Sequence, residues 1–339
     1  MTHTVTGVRH LRQEALPLTL IAAALAAAVL LCAGNTFVLS ILATTFLFAG
    51  LATAWNVIGG FGGQFSLCHA VFFAEGAYLT GNLVLHGGVS PWLSLPPSFV
   101  LAAVTGTLIS WPVFRLRGPF FAIATMTFNE VVFVLANVAE PVTGGAQGLR
   151  VPYLMGWRTM IFPGRIAYAW LMLGFLLLCL ASGLWLLRSR LGYTLQAVRD
   201  NEAAAEACGI PVLRTKLLAM AISAGLTGIG GSLFMMYVRI VDPPTLLSLS
   251  DVGVRIALVA VIGGLGTGYG PLLGALLVVP LDAWLRANLG AAVPGANLVV
   301  MGAALVLASL FFKRGLAGAL VPLRLRLAGR GTPAPAHPS

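Results

Sequence analysis

Residues 166–187 read IAYAWLMLGFLLLCLASGLWLL, 22 consecutive positions without a charged side chain. A helix that crosses the hydrocarbon core of a bilayer needs about 20 predominantly apolar residues. The sequence therefore predicts an all-α, polytopic transmembrane helical bundle of about ten spans, within a range of roughly eight to ten. The nine further apolar segments lie near 16–34, 36–58, 64–86, 91–113, 119–138, 213–237, 251–265, 270–290 and 295–312.

The composition excludes an ordinary soluble domain. Of 339 residues, 58% are hydrophobic and only 9% are charged, whereas soluble chains average about 45–50% apolar and about 25% charged residues. The formal net charge is +10, but the cations stand singly or in pairs between apolar runs. This dispersal favours membrane orientation over nucleic-acid binding, so we expect a lipid bilayer and no nucleic acid as partner.

The cations predict the orientation of the spans. If the N-terminus is cytoplasmic, 14 of the 20 Lys and Arg residues fall on the inner side. By the positive-inside rule, both termini are then predicted to be cytoplasmic. The 14 are Arg9, Arg12, Arg115, Arg117, Arg188, Arg190, Arg199, Arg214, Lys216, Lys313, Arg314, Arg324, Arg326 and Arg330.

Three regions are predicted along the chain. Residues 1–15 form a cytoplasmic N-terminal segment, 16–312 the transmembrane domain, and 313–339 a basic, partly disordered cytoplasmic tail. A long inner connection at 188–216 interrupts the transmembrane domain and holds eight of the chain's 30 charged residues. A second connection, at 139–165 on the outer side, contains the flexible polar stretch TGGAQG.

The inner connection contains the stretch RDNEAAAEACGI at residues 199–210. Asp200 or Asn201 can cap a helix that begins at Glu202, because the following residues are strong helix formers. Gly209 suits the left-handed position that ends a helix. The pattern predicts one short helix of about two turns with a small-sided alanine surface, on which Glu202 and Glu206 share a face.

No nucleotide-binding or metal motif is visible in the sequence. A P-loop needs Gly-Lys followed by Ser or Thr, but Lys216 follows Thr215 and Lys313 follows Phe312. The four cysteines lack CxxC spacing, so neither a metal site nor a disulfide is expected. No HExxH or Ser-His-Asp arrangement is visible either, and the chain is predicted to be neither an enzyme nor a binder of its own cofactor.

Polar residues inside apolar segments are candidates for a transport pathway. Four glycines at 59, 60, 62 and 63 precede Gln64, Ser66 and His69, and such a run would interrupt a span and free backbone groups for a ligand. Helix packing and interhelical hydrogen bonding are the competing interpretation. The candidate pathway residues are Asn56, Gln64, Ser66, His69, Glu75, Asn129 and Glu130, and the candidate hinge or packing glycines are Gly59, Gly60, Gly62, Gly63, Gly263, Gly264 and Gly266.

Charged side chains in the predicted spans can belong to a proton relay or to structural contacts between helices. Glu75 and Glu130 can belong to a proton relay, although ordinary interhelical bonding suffices for Glu75 beside Tyr78 and Thr80. Asp251 with Arg255, and Asp282 with Arg286, are spaced i,i+4 and are predicted to form structural ion pairs.

Several motifs occur together in one order. Residues 55–70 read WNVIGGFGGQFSLCHA, 115–125 RLRGPFFAIAT, 143–145 TGG, 199–210 RDNEAAAEACGI and 263–267 GGLGT, the last followed by Gly270-Pro271. Together they resemble the permeases of ABC importers, specifically the LivM-type branch for branched-chain amino acids. One departure from the family pattern is that Cys68 replaces the usual glycine. Gly209 follows Glu202 by seven residues rather than the six of general importer permeases, and the Ile-x-Leu-Pro tail is missing, which fits the branched-chain branch better than the sugar or peptide branches. The resemblance covers the chain from Trp55 to Pro280.

The resemblance implies the function and the partners. It implies an importer permease that carries branched-chain or related hydrophobic amino acids across the bacterial inner membrane. Its partners would be a second homologous permease, two ATPase subunits that use ATP and Mg, and a periplasmic binding protein. Urea or short amides as substrate, and an ion-coupled secondary transporter, are the alternatives. The ATPase-coupling residues it implies are Arg199, Asp200, Asn201, Glu202, Ala203, Ala204, Glu206 and Gly209.

Overall fold

The computed structural model describes residues 18–116, 118–153, 155–289, 299, 302–303 and 315–318. The predicted N-terminal segment, the basic tail except 315–318, and most of the span near 295–312 therefore lie outside the described residues. So does Arg117 of the RLRGPFFAIAT motif.

The described chain is built from helices. The α-helices are α1 Leu18–Leu31, α2 Thr36–Asn56, α3 His69–Gly87, α4 Pro91–Val113, α5 Pro119–Val138, α6 Glu140–Thr143, α7 Arg165–Arg188, α8 Arg190–Asp200, α9 Glu202–Ala207, α10 Val212–Val238, α11 Pro243–Leu246, α12 Arg255–Gly263 and α13 Gly270–Leu289. Two π-helical segments cover Val57–Phe61 and Leu249–Val254, and a 3-10 turn covers Gly145–Gln147. A two-residue antiparallel pair joins β1 Leu149–Arg150 to β2 Ile240–Val241.

Seven helical stretches in the described part of the chain are long and apolar enough to cross a membrane, which confirms an all-α polytopic membrane protein. They are Thr36–Phe61, Pro91–Val113, Pro119–Val138, Arg165–Arg188, Val212–Val238, Pro243–Gly263 and Gly270–Asn288. The segment predicted near 16–34 forms only the shorter helix α1, and α3 is not among the seven. A total of ten spans stays a prediction.

Helices α2 and α10 form the centre of the bundle. In each, 67% of the most apolar stretch is buried, against 28% in α4 and 22% in α5. Helix α2 packs against α7 and α13, whereas α10 packs against α3 and α4. The outer faces of α4 and α5 carry exposed apolar side chains, which suit lipid or a partner chain.

The α3–α10 contact is close because glycines line it. A Cβ atom at Gly76 would overlap the backbone carbonyl of Gly228, and one at Gly231 would overlap that of Phe73. The hydroxyl of Ser232 donates to the Gly76 carbonyl oxygen across this contact at 3.1 Å. Small residues permit such backbone approach between membrane helices.

The connections gather at two opposite ends of the bundle. Residues 57–68, the 188–212 connection and the turn 264–269 contact one another at one end. At the other end, Asn82 at the end of α3 donates to the Val142 carbonyl, and β1 ties the 139–164 connection to β2 after α10. The two long connections therefore lie on opposite sides, as the span pattern predicts.

Candidate functional site

The inner connection contains two helices where the sequence predicted one. Helix α8 runs from Arg190 and is capped by Ser189, whose hydroxyl accepts from the Gly192 amide at 3.1 Å. Apolar runs do not predict α8, because its sequence is hydrophilic. It leads directly into α9, so two consecutive helices fill the inner connection instead of the one short helix predicted.

Helix α9 begins and ends as predicted. The Asn201 side chain accepts a hydrogen bond from the Ala204 amide at 3.1 Å, which is a standard N-cap interaction. Gly209 follows the helix with φ +81°, the left-handed conformation that favours glycine. Local sequence was sufficient here because both signals lie within a few residues of the helix ends.

The surface of α9 is divided between an anchored side and a free side. Ala205 is buried against the bundle, and Glu202 is half-buried. The exposed side consists of small residues and one carboxylate: Ala203, Ala204, Glu206, Ala207 and, beyond the helix, Cys208 and Gly209. This surface is available for close contact with another protein.

Glu202 contacts the bundle, whereas Glu206 is exposed. The Glu202 carboxylate pairs with the ammonium of Lys216, whose side chain is 3% exposed, and also accepts from the Gln64 side-chain amide at 3.3 Å. Lys216 accounts for this contact, because a nearly fully buried cation requires a nearby anion. Glu202 thus holds α9 against the start of α10.

Arg199 connects the same loop to the glycine-rich break after α2. Its guanidinium donates to the Gly60 carbonyl oxygen at 3.2 Å and to Asp200 at 3.2 Å. A Cβ at Gly63, which has φ +67°, would lie 2.6 Å from the Arg199 Cγ. The absence of a side chain at Gly63 therefore leaves room for the Arg199 side chain to reach Gly60 in this break, which covers residues 57–67.

The break itself interrupts a span, as the glycine run predicts. The α-helix ends at Asn56, continues as a π-helix to Phe61, and the chain is non-helical from Gly62 to Leu67. The Trp55 indole donates to the Ser66 carbonyl oxygen at 2.7 Å and closes the break. Gly59, Gly60 and Gly62 are all buried within it.

The two predicted glycine regions meet in space. The Asn56 side chain donates to the Thr267 carbonyl at 3.0 Å and accepts from the Gly266 amide at 2.9 Å. Gly266 has φ +70° and Gly264 φ +122°, and a Cβ at Gly60 would come 2.5 Å from the Gly266 nitrogen. Asn56, a predicted pathway residue, uses its side chain to join the break to the 264–269 turn.

Ser66 and His69 lie in a buried hydrogen-bonded cluster. The Ser66 hydroxyl is 3.2 Å from His69 Nδ1, and His69 Nε2 is 2.8 Å from the Ser223 hydroxyl on α10. Ser223 in turn donates to the Ala54 carbonyl at 2.7 Å. Both predicted pathway residues are fully buried and bridge three elements, α2, α3 and α10.

The remaining predicted pathway residues are not brought together. The fully buried Asn129 on α5 donates to the Leu247 carbonyl at 3.0 Å, while Glu130 is exposed on the outer face of α5. Glu75 on α3 accepts a 2.6 Å hydrogen bond from the Thr105 hydroxyl on α4. Of these three, only Glu75 lines a cavity described here.

One of the two predicted i,i+4 ion pairs forms. Arg286 pairs with Asp282 at 3.1 Å, but Arg255 pairs with Asp282 and not with Asp251, which pairs with Arg286 instead. Asp251 lies in the π-helical turn Leu249–Val254. Because a π-turn contains more residues than an α-turn, the i,i+4 relation between Asp251 and Arg255 is lost there.

The fold and these contacts define an integral membrane bundle that carries a short, anchored helix between two spans. The family model described as "Branched-chain amino acid transport system / permease component" matches residues 37–309. The chain belongs to this family of transport permeases, so the resemblance drawn from its motifs is confirmed.

Individual relatives agree with the family assignment. The chain is 31% identical over 261 residues to the high-affinity branched-chain amino acid transport system permease protein LivM of Escherichia coli K12, covering 69% of this chain and 60% of that protein. It is 24% identical to the probable branched-chain amino acid transport permease protein LivM of Methanocaldococcus jannaschii over 53% of this chain and 52% of that protein. With the Escherichia coli permease LivH it shares 23% identity over 80% and 91% of the two chains. The chain thus matches about 60% of the length of the LivM protein named first, and no solved structure matches it.

Proposed function

We propose that the chain is the transmembrane permease subunit of an ABC importer for branched-chain or related hydrophobic amino acids. Separate ATPase subunits dock on residues 199–209. They bind and hydrolyse ATP with Mg, since this chain contains no P-loop sequence of its own. A second homologous permease and a periplasmic binding protein complete the complex. The chain lies in the bacterial inner membrane with both termini in the cytoplasm, in agreement with its 14 inner-side cations.

The observation that carries this proposal is the form of α9. It is a six-residue helix, capped at both ends, that presents small exposed side chains and is held from behind by the Glu202–Lys216 pair. Small side chains let a partner approach the helix backbone, and the anchored rear side prevents the helix from moving independently. A force applied to α9 is therefore passed to α10.

A second route runs from the loop to α2. Arg199 donates to the Gly60 carbonyl, and Gln64 contacts Glu202. Both sides of the glycine-rich break therefore contact residues 199–209, which we call the docking loop. Asn56 then joins the break to the 264–269 turn between α12 and α13. Closure of the ATPase subunits would move these three segments together and open or close the pathway between the spans.

Docking is tested with Ala204→Arg, which places a long cation on the exposed side of α9. Co-purification of the ATPase subunits with the permease is measured, together with ATP-dependent leucine uptake in proteoliposomes. We expect both to fall at least tenfold. The matched control is Ala146→Arg, the same change at an exposed alanine in the connection on the opposite side. Normal co-purification and uptake in Ala204→Arg would overturn the coupling role.

The energy source and substrate class are tested with the wild-type complex. With binding protein and ATP present, uptake of leucine, isoleucine and valine is expected without any ion gradient. Uptake that follows a proton or sodium gradient and needs no ATPase subunit would replace this proposal with a secondary transporter. Urea or an amide carried in preference to leucine would keep the ABC importer and replace its substrate.

A further inference from the structure

A cavity of about 530 Å³ lies between α3, α4 and α5. Its walls are mostly aliphatic, with Leu101 from α4 and Val132, Leu135 and Ala136 from α5. Both its volume and its apolar lining are typical of pockets for small molecules, which add only a few placed polar groups. The polar groups here all come from one face of α3 and from the start of the neighbouring connection.

The α3 face presents Glu75, Tyr78 and Asn82, spaced i, i+3 and i+7 on one side of the helix. The Asn82 amide donates to the Tyr78 and Val142 carbonyls, but the other two side chains have fewer partners than they can bind. Within the described residues, no cation pairs with Glu75, whose carboxylate accepts only from Thr105. The Tyr78 hydroxyl is buried and has no hydrogen-bond partner in the same part of the chain.

Such groups are costly where water is scarce. A buried hydroxyl without a partner, or a carboxylate without a cation, is destabilising unless a ligand or water compensates. A lipid acyl chain in the cavity would leave both unsatisfied. A zwitterionic amino acid would satisfy both, since its ammonium can bind the carboxylate and its carboxylate can accept from the phenol.

The placement suits this assignment. Residues three apart lie on the same side of a helix, so Glu75 and Tyr78 line the same cavity and can face the two charged groups of one amino acid. An aliphatic side chain would then face the α5 wall. We infer that this cavity is a transit site for an aliphatic amino acid, with Glu75 binding the ammonium and Tyr78 the carboxylate, an inference that rests on the proposed importer function.

The position along the membrane agrees with transit. Glu75 lies six residues and Asn82 thirteen residues beyond the start of α3, which is about 9 Å and about 20 Å along the helix. The cavity rim at Ala139, Val142 and Thr143 belongs to the side opposite α9. A substrate released at that side would meet the cavity before it reached the end where the ATPases are proposed to dock.

A second cavity supplies a control. It has about 570 Å³, lies between α4, α7 and α10, and no charged side chain lines it among the described residues. Ala167 there corresponds to Ala136 in the α3 cavity, because each is a small residue on a cavity wall. Leucine at either alanine would fill a comparable part of its cavity, but only leucine at position 136 would block the proposed site.

The test uses the full complex in proteoliposomes with binding protein and ATP, and measures initial uptake of leucine and valine. In Glu75→Gln we expect the maximal rate to fall at least tenfold with little change in KM, because the binding protein sets KM. Glu75→Asp should recover part of the rate. In Ala136→Leu we expect leucine uptake to fall at least threefold more than valine uptake, whereas Ala167→Leu should leave their ratio unchanged.

The outcomes separate this inference from the proposed function. Wild-type complex that does not take up leucine with ATP overturns the importer proposal, and the site with it. If the wild-type complex takes up leucine and the maximal rate of Glu75→Gln is within twofold of the wild-type rate, the site alone is overturned. Equal leucine-to-valine ratios in Ala136→Leu and Ala167→Leu would also overturn it, because cavity size would then have no part in selection.

Discussion

Helix α3 has two faces that differ in how closely they approach the neighbouring helices. Toward α10 it carries Gly76, and there the backbones approach so closely that a Cβ would overlap a carbonyl. Toward α4 and α5 it carries Glu75 and Tyr78, and there a cavity of about 530 Å³ lies between the three helices. Adjacent residues in the sequence, Glu75 and Gly76, therefore belong to a cavity wall and to a close helix–helix contact.

The hydrogen bonding differs in the same way. On the packed face, the Ser232 hydroxyl donates to the Gly76 carbonyl, and the polar groups named at this contact have partners. On the cavity face, the Tyr78 hydroxyl has none within the described residues. A satisfied face stabilises the bundle, whereas an unsatisfied face in an apolar setting is available for a ligand. Substitutions on the two faces should therefore alter different measurements.

The largest effect is expected on the packed face. Gly76→Ala places a methyl group against the Gly228 carbonyl and should force α3 and α10 apart, at a cost of about 3 kcal/mol. The loss of stability is measured by thermal unfolding of the purified complex in detergent, with size-exclusion chromatography as the readout. The control is Gly174→Ala on α7, where no atom lies within 4 Å of the added Cβ. Equal stability of the two variants would contradict the packing account.

An intermediate effect is expected for a satisfied hydroxyl. Thr80 on α3 lies 2.8 Å from the Ser94 hydroxyl of α4, and Ser94 itself donates to the Pro91 carbonyl, so Thr80 is the donor. Thr80→Val removes this bond and should destabilise the complex by about 0.6–1 kcal/mol. Leucine uptake per folded complex should not change, and a selective loss of uptake would count against a purely structural role.

The smallest effect is expected for the unsatisfied hydroxyl two residues away. Tyr78→Phe removes no hydrogen bond of the described chain, so thermal stability should stay the same or rise slightly. The maximal rate of leucine uptake should fall about threefold, the loss expected for one hydrogen bond of about 0.7 kcal/mol. If Tyr78→Phe lowered stability as Thr80→Val does, the distinction between the two faces would fail.

Local signals in the sequence anticipated much of the docking loop. The Asn201 cap and the Gly209 terminus were predictable because each acts over three or four residues. The direction of Glu202 was not, because it depends on Lys216 and Gln64, and Gln64 is 138 residues away. Helix α8 was missed because its hydrophilic composition resembles that of an exposed connection.

The pathway residues show the same limit. Polarity within an apolar run correctly marked Asn56, Ser66 and His69 as unusual, but their partners, Thr267, Gly266 and Ser223, lie far along the chain. Tyr78 and Asn82 could also have been predicted from the sequence as candidate pathway residues, since their spacing places them on the same helical face as Glu75. Their significance depends on the cavity, which no single helix defines.

The sequence by itself determined that this chain is a helical membrane protein, that its two long connections lie at opposite ends of the bundle, and where α9 begins and ends. These properties follow from apolar length and from capping, which act within one segment. Only the tertiary structure decided which polar groups are paired across helices, which glycines permit close contact, and where a cavity stays open. Those depend on residues that are distant in sequence and meet only when the helices pack.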